Sequence, residues 1–341
     1  MHLRVLIGTY TRGTSSEGIY AAEWDETSGT LALVGVAACA DNPSFLVRSK
    51  RPHRRVYAAL ETTDFTPTGE GAVASYDLTG DVLQQRNVVA SGGGLPCTLA
   101  FEPAEQHLAV SNYAGTVALL GIAANGDVGV RRSVVPHPRG SVHPRRQTAG
   151  HPHGVTFVER ELWVPDLGAD AIFRYRVQAG ALECVGEIAS VAGSGPRLVV
   201  AHPTLPVRHL VHELSNEVAT LSEVSTVQRV GTLATGFAAR SLASDIHYTR
   251  DGRFLYVANR GEDSLVGYRV GADGALTACT RAPTGGAHPR AFAATPDEGF
   301  ILVANRDANA VGVLRRDRTS GALSPPVSAL DVPAPACFLF V

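Results

Sequence analysis

The chain has 341 residues, 45% of them hydrophobic, with a formal net charge of −2 and a pI near 6.6. That balance excludes the basic footprint of a nucleic-acid-binding domain, and no apolar run approaches the roughly 18 residues that a membrane-crossing helix needs. The five cysteines (Cys39, Cys97, Cys184, Cys279 and Cys337) are odd in number and lack CxxC spacing, so neither a disulfide framework nor a zinc ribbon is expected.

The opening MHLRVLIGTY has too short an apolar stretch for a secretion signal and reads as a strand, which makes the cytoplasm the expected location. From there one pattern recurs: a turn, usually with Pro, a short apolar run, a second turn, and a β-rich run ending on a polar residue. The second runs are LIGT (6–9), YAAL (57–60), AVSN (109–112), WVPD (163–166), LVHE (210–213), YVAN (256–259) and LVAN (302–305). With Thr9, Leu60, Asn112, Asp166, His212, Asn259 and Asn305 as equivalents, the steps are 51, 52, 54, 46, 47 and 46 residues. A strand-built period of about 40–50 residues is the signature of a β-propeller.

The first runs are NPSFLV (42–47), LPCTLAF (95–101), HPHGVTF (151–157), GPRLVVA (195–201), SDIHYT (244–249) and HPRAFAA (288–294). From Pro43, Pro96, Pro152, Pro196, Ser244 and Pro289 to the aligned polar residue the offset is 17, 16, 14, 16, 15 and 16 residues, which is one hairpin repeated. Two outer strands follow in each unit, as in SLVGYRV (264–270) and ALTACT (275–280) around a GADG turn. The C-terminal PACFLFV (335–341) reads as the seventh first strand, with LIGT near the N-terminus as its partner. The expected fold is therefore an all-β, seven-bladed propeller spanning 1–341 as a single domain, its ring closed by the two ends of the chain. One long insertion, VVPHPRGSVHPRRQTAG (134–150), is basic and Pro-rich.

In a propeller the start of each first strand and the end of each second strand meet at one mouth of the channel. That brings His151, His153, Arg197, His288 and Arg290 together with Glu61, Tyr113, Asp166, Glu213, Arg260 and Arg306. Lys50 is the only lysine, so cationic contacts fall to arginine, whose fork suits carboxylate and phosphate; a GC-rich coding sequence would produce the same bias. His151 and His153, two apart, would share one face of a strand. They could hold metal or substrate, or simply sit in an exposed turn. Some of the arginines must tie blade to blade, and Glu213 could pair with one of them or be raised by burial toward a useful base. Asp166 and Asp170 read as turn braces. There is no GxSxG, HExxH, Walker A or GxGxxG pattern, and a zinc site from His143, His151 and His153 lacks an identifiable acidic partner.

Across nearly its whole length the chain resembles the seven-bladed lactonase family, which includes bacterial propeller-type 6-phosphogluconolactonases and the related carboxymuconate lactonizing enzymes. The matching segments include IGTYT (7–11), SNYAGTV (111–117), QTAGHPH (147–153), VPDLGAD (164–170), GSGPR (193–197), HELSNEV (212–218), SDIHYTRDGRFLYVANRGEDS (244–264) and HPRAFAATPDEGFILVANRD (288–307). Thr98 and Leu198 stand where the family usually has His, and His212 where it usually has Asn. The resemblance implies a catalytic set of His153, Glu213, Arg197 and Arg260, with His151 adjacent, and no metal or other cofactor; from their positions at the mouth His151, Arg290 and Arg306 are read as substrate contacts, with blade-to-blade ties as the alternative for the two arginines. It implies hydrolysis of 6-phospho-glucono-1,5-lactone, a small anionic sugar lactone, with no nucleic-acid or membrane partner. The alternatives are a muconate-type lactonizing isomerase using the same residues, or a non-enzymatic propeller that binds a protein through a large apolar face patch.

Overall fold

The computed structural model describes residues 2–222 and 225–341. Their strands form seven sheets of four antiparallel strands each. Six blades follow chain order. The remaining blade, taken as blade 1, joins the C-terminal strand Pro335–Phe340 to His2–Thr9, Gly18–Asp25 and Thr30–Cys39. The innermost strands of blades 2 to 7 are Pro43–Arg48, Pro96–Phe101, Thr156–Val158, Pro196–Ala201, Leu242–Tyr248 and Pro289–Ala294. Each touches the next, and Pro335–Phe340 touches both Pro289–Ala294 and Pro43–Arg48, so the ring is closed.

Closure is also visible in the packing. The buried apolar residues fall into seven clusters, and each cluster is shared by two adjacent blades. Trp24 of blade 1 meets Phe300 of blade 7 edge-on at 5.0 Å, and Tyr57 of blade 2 meets Phe101 of blade 3 at 5.2 Å. Middle strands such as Phe300–Asn305 are covered on both faces and read as unbroken apolar runs. Outermost strands such as Leu323–Asp331 alternate half-buried and exposed residues, as expected where one face meets water.

The hairpin register follows the sequence offsets. Pro43 pairs with Leu60, Pro96 with Asn112, Pro196 with His212, Pro289 with Asn305, and Pro335 with Thr9. Pro152 meets Asp166 through an isolated bridge. One expectation is corrected: in blade 6 the partner of Asn259 is Ala243, not Ser244, which moves the offset from 15 to 16 residues.

The aligned polar residues are ties between blades. The side-chain amides of Asn112, Asn259 and Asn305 donate to the carbonyls of Ser91, Thr232 and Thr284, each at the end of the preceding blade, at 3.2, 2.9 and 2.9 Å. His212 lies 3.3 Å through Nε2 from Ser190 Oγ at the equivalent place. The imidazole therefore takes the place of the amide in the tie between blades 4 and 5, and His212 is not a mouth residue.

Candidate active site

Just past the first pair of the inner hairpin, six blades carry a β-bulge that leaves residues of the inner strand unpaired: Ser44, Cys97, Arg197, Ser244 with Asp245, Arg290, and Ala336. In blade 4 the matching position is His153, which follows the Pro152 bridge. A bulge breaks the in-out alternation and re-aims a side chain. Here Ser44, Cys97, His153, Arg197, Asp245, Arg290 and Ala336 all line one cavity of about 150 Å³ in the central channel. Phe45, Phe292 and Phe338 form much of its remaining wall.

The most densely charged part of the channel centres on Glu213, which is 1% exposed. Its Oε2 accepts from Arg197 Nη1 and lies 2.9 Å from Arg260 Nη2, while its Oε1 accepts from Arg146 Nη2 at 2.6 Å. His153 Nε2 lies 3.7 Å from Oε2. Burial alone would raise the Glu213 carboxyl, but the charges of Arg260, Arg197 and Arg146 outweigh it and hold it well below the ordinary range. This decides what the sequence left open: Glu213 is a carboxylate, and three guanidiniums occupy it.

The arginines are held in turn. Arg197 donates through Nε to Ser244 O at 2.5 Å and through Nη1 to His153 Nε2. Burial pulls it down to about 9, with Arg290 adding to the shift, so it still carries its charge at neutral pH. Arg260 donates to the carbonyls of Leu242 and Ala243 at 3.2 and 3.0 Å. His153 is pushed well below the usual imidazole value, first by burial and then by Arg197. The cluster therefore combines three arginine charges, one carboxylate and a neutral imidazole, an excess of positive charge.

His151 and His153 do not share a strand face as expected, because regular pairing in blade 4 begins only at Thr156. His151 stacks on Tyr113 at 4.5 Å with an interplanar angle of 10°, and its Nδ1 lies 2.8 Å from the Tyr113 carbonyl oxygen. The Tyr113 ring also meets His153 edge-on at 5.2 Å, so the tyrosine separates the two imidazoles. Asp166 braces the segment: its Oδ1 accepts from the backbone N–H of His151 and Ala169, and its Oδ2 lies 2.8 Å from His137 Nδ1. Gly168 permits the close approach, since a Cβ there would stand 1.9 Å from the Ala149 carbonyl oxygen. Asp170 accepts from the backbone N–H groups of Gly193 and Gly195, so both aspartates are turn braces.

Arg290 also lines the cavity. Its Nε donates to Tyr10 Oη at 3.2 Å, and Tyr10 donates to Glu61 at 2.9 Å. No carboxylate lies within ion-pair distance of Arg290 among the described residues. Arg306 is not brought into the cluster: it pairs with Asp307 at 2.7 Å and lies 3.4 Å from His288 Nδ1. It lines instead a hollow with Tyr10, Arg12 and Asn42. Thr98 and Leu198 both line the channel cavity, where Thr98 Oγ1 is hydrogen-bonded to Ser111 Oγ.

Sequence reasoning missed Arg146, whose signal was the basic insertion at 134–150. Nor does that insertion yield the zinc site considered for His143. His143 Nδ1 accepts from the backbone N–H of Arg145 and Arg146 at 3.3 and 3.2 Å, and no group of three metal-binding side chains occurs among the described residues.

A seven-bladed ring whose inner-strand entries and second-strand ends gather Arg, His and Glu in the channel defines a class, and the comparisons agree with it. The family model described as "Lactonase, 7-bladed beta-propeller" matches residues 4–340, and the chain belongs to that family. It is 32% identical to a 6-phosphogluconolactonase of Bacillus subtilis, an alignment covering 98% of this chain and 97% of that protein. A crystal structure of a Lactobacillus plantarum protein superposes with a TM-score of 0.93 at 32% identity, covering 100% of both chains. A periplasmic gluconolactonase of Pseudomonas aeruginosa gives 0.93 at 31% identity, over 100% of this chain and 99% of that one. The protein is a lactonase.

Proposed function

We propose that this lactonase hydrolyses 6-phospho-glucono-1,5-lactone to 6-phosphogluconate. The observation that carries the reading is the buried His153, its Nε2 accepting from Arg197, beside a carboxylate already paired with three arginines. Glu213, held ionised by three guanidiniums, is a poor proton acceptor; its role is to keep Arg197 and Arg260 charged and in place. The base is then His153. When the substrate draws Arg197 Nη1 off His153 Nε2, a water takes that place and gives its proton to the imidazole as its oxygen attacks the lactone carbonyl. Arg197 and Arg260 offset the charge that develops on the carbonyl oxygen. As the ring C–O bond breaks, the imidazolium returns the proton to the leaving oxygen, giving a carboxylic acid that ionises and a free hydroxyl. Arg290, with no carboxylate at ion-pair distance among the described residues, offers a further anion contact.

The phosphorylated substrate is favoured by the excess positive charge and by the names of the Bacillus and other relatives. In this reading the enzyme works in the cytoplasm, where phosphorylated sugars are retained; a periplasmic enzyme would meet the unphosphorylated lactone. A second reading, a muconate-type lactonizing isomerase, draws support from the aromatic wall of Phe45, Phe292 and Phe338, which suits an unsaturated dicarboxylate. A protein-binding role finds little support: exposed large hydrophobics such as Leu33, Val82, Val130 and Val327 lie on outermost strands. The test is an assay of freshly formed 6-phosphogluconolactone, gluconolactone and carboxymuconate, each against its uncatalysed rate. Opening of the phosphorylated lactone with muconate untouched is expected. Failure to open any lactone above background rejects the assignment, and turnover of muconate alone selects the second reading.

A further inference from the structure

Three arginines share Glu213, but they are not equivalent. Arg197 and Arg260 come from strands, and their side chains are 1% and 10% exposed. Both are also tied to backbone carbonyls of blade 6. Arg146 comes from the insertion loop and its side chain is 26% exposed. One nitrogen, Nη2, makes both of its hydrogen bonds, to Glu213 and to Tyr113 Oη at 3.2 Å, which leaves Nε and Nη1 without a protein acceptor among the described residues.

The loop beneath it is firmly seated. Gln147, 1% exposed, donates through Nε2 to Leu167 O at 2.9 Å and accepts from the backbone N–H of His143 at 2.9 Å. The backbone of Arg146 is therefore fixed, while Nε and Nη1 of its guanidinium have no protein acceptor among the described residues. If that side chain swings away, Glu213 keeps two arginines, so the carboxylate is not left uncompensated. A guanidinium with one nitrogen on a catalytic cluster and unused N–H groups on the other two suits a charge-assisted contact to an anionic group.

We infer that Arg146 is the specificity residue of the site, reading the phosphate of the substrate through the N–H groups of Nε and Nη1 that Glu213 and Tyr113 leave unused. This rests on the lactonase reading above and adds to it the residue that selects a charged substrate. The exposed neighbour Arg145 adds further positive charge at the same tip.

The experiment compares wild type, Arg146→Gln and Arg146→Lys on phosphorylated and unphosphorylated gluconolactone, with thermal unfolding of each variant. The expected result for Arg146→Gln is a rise in KM for the phosphorylated lactone roughly ten- to hundredfold greater than for the unphosphorylated one, as for loss of a charge-assisted contact. Arg146→Lys should recover part of that difference. Equal changes on both lactones, or none on either, overturn the inference, because a residue that only braces Glu213 cannot distinguish them. Wild type opening neither lactone would instead reject the activity itself.

Discussion

Arg197 and His153 meet in the channel with guanidinium Nη1 against imidazole Nε2. Arginine has only donors, so Nε2 must be the bare nitrogen and Nδ1 the protonated one. Burial and the Arg197 charge keep the ring neutral well below its ordinary value. A base must be deprotonated to act, so a lowered pKa extends activity toward acid. Initial rates corrected for spontaneous opening should give a kcat/KM with no loss until well below about pH 6.5, the ordinary histidine value. An acid limb at or above that value would reject a neutral His153 as the base.

Glu213→Gln removes the one carboxylate among Arg146, Arg197 and Arg260. Leaving buried charge uncompensated costs about 3–5 kcal/mol, and denaturant unfolding should show a loss of that order. Because the folded pKa of Glu213 is depressed, its contribution is present above the ordinary carboxylate range and is lost as pH falls through the folded value. A variant as stable as wild type would mean that the arginines do not depend on this carboxylate.

Acid stability should also be set by buried histidines far from the channel. His209 Nε2 donates to the Gly274 carbonyl oxygen at 3.1 Å, and its Nδ1 accepts from Tyr248 Oη, so the neutral ring is fully used. Burial pushes it down to about 4, against an ordinary value of 6.5. The unfolded chain therefore takes up a proton at a pH where the folded one does not, and stability falls as pH drops from about 6.5 toward 4. On its own His209 accounts for on the order of 3 kcal/mol across that window. Unfolding midpoints measured against pH should show this decline and a shallower one in His209→Gln; identical slopes would contradict it.

Ring closure rests on a sheet shared by the chain ends, with Leu6 paired to Leu339 and Ile7 to Phe338. Trp24, fully buried, packs edge-on against Phe300 across the next seam. Trp24→Ala should cost about 3–5 kcal/mol, as large-to-small core changes do. Deleting residues 335–341 should do more, exposing the edge of His2–Thr9 and removing cooperative unfolding. A cooperative, monodisperse truncated protein would show that closure is dispensable.

The ring was legible in the sequence because the Pro-to-polar offset is the register of a hairpin, and a register is a local property. The Thr9–Pro335 pairing followed from the same offset although it joins opposite ends of the chain. The bulges were not legible: one unpaired residue after Pro196 leaves the composition of GPRLVVA unchanged, yet it re-aims Arg197 into the channel. The separation of His151 from His153 depends on where pairing in blade 4 begins and on the intervening Tyr113 ring, neither of which spacing alone encodes. Arg146 was hidden for another reason. It lies in an insertion outside the repeat, so only the loop's path, pinned by Gln147, brings it to Glu213.

The most direct measurement is the initial rate of 6-phosphogluconolactone opening by wild type and by His153→Gln, each corrected for the uncatalysed reaction and accompanied by a check of folding. The expected result is catalysis by wild type and a loss of roughly 10²–10⁴-fold in the folded variant, the usual worth of a positioned base. A folded His153→Gln protein that keeps the wild-type rate would contradict the central claim that this imidazole, set between Arg197 and Glu213, takes the proton from water.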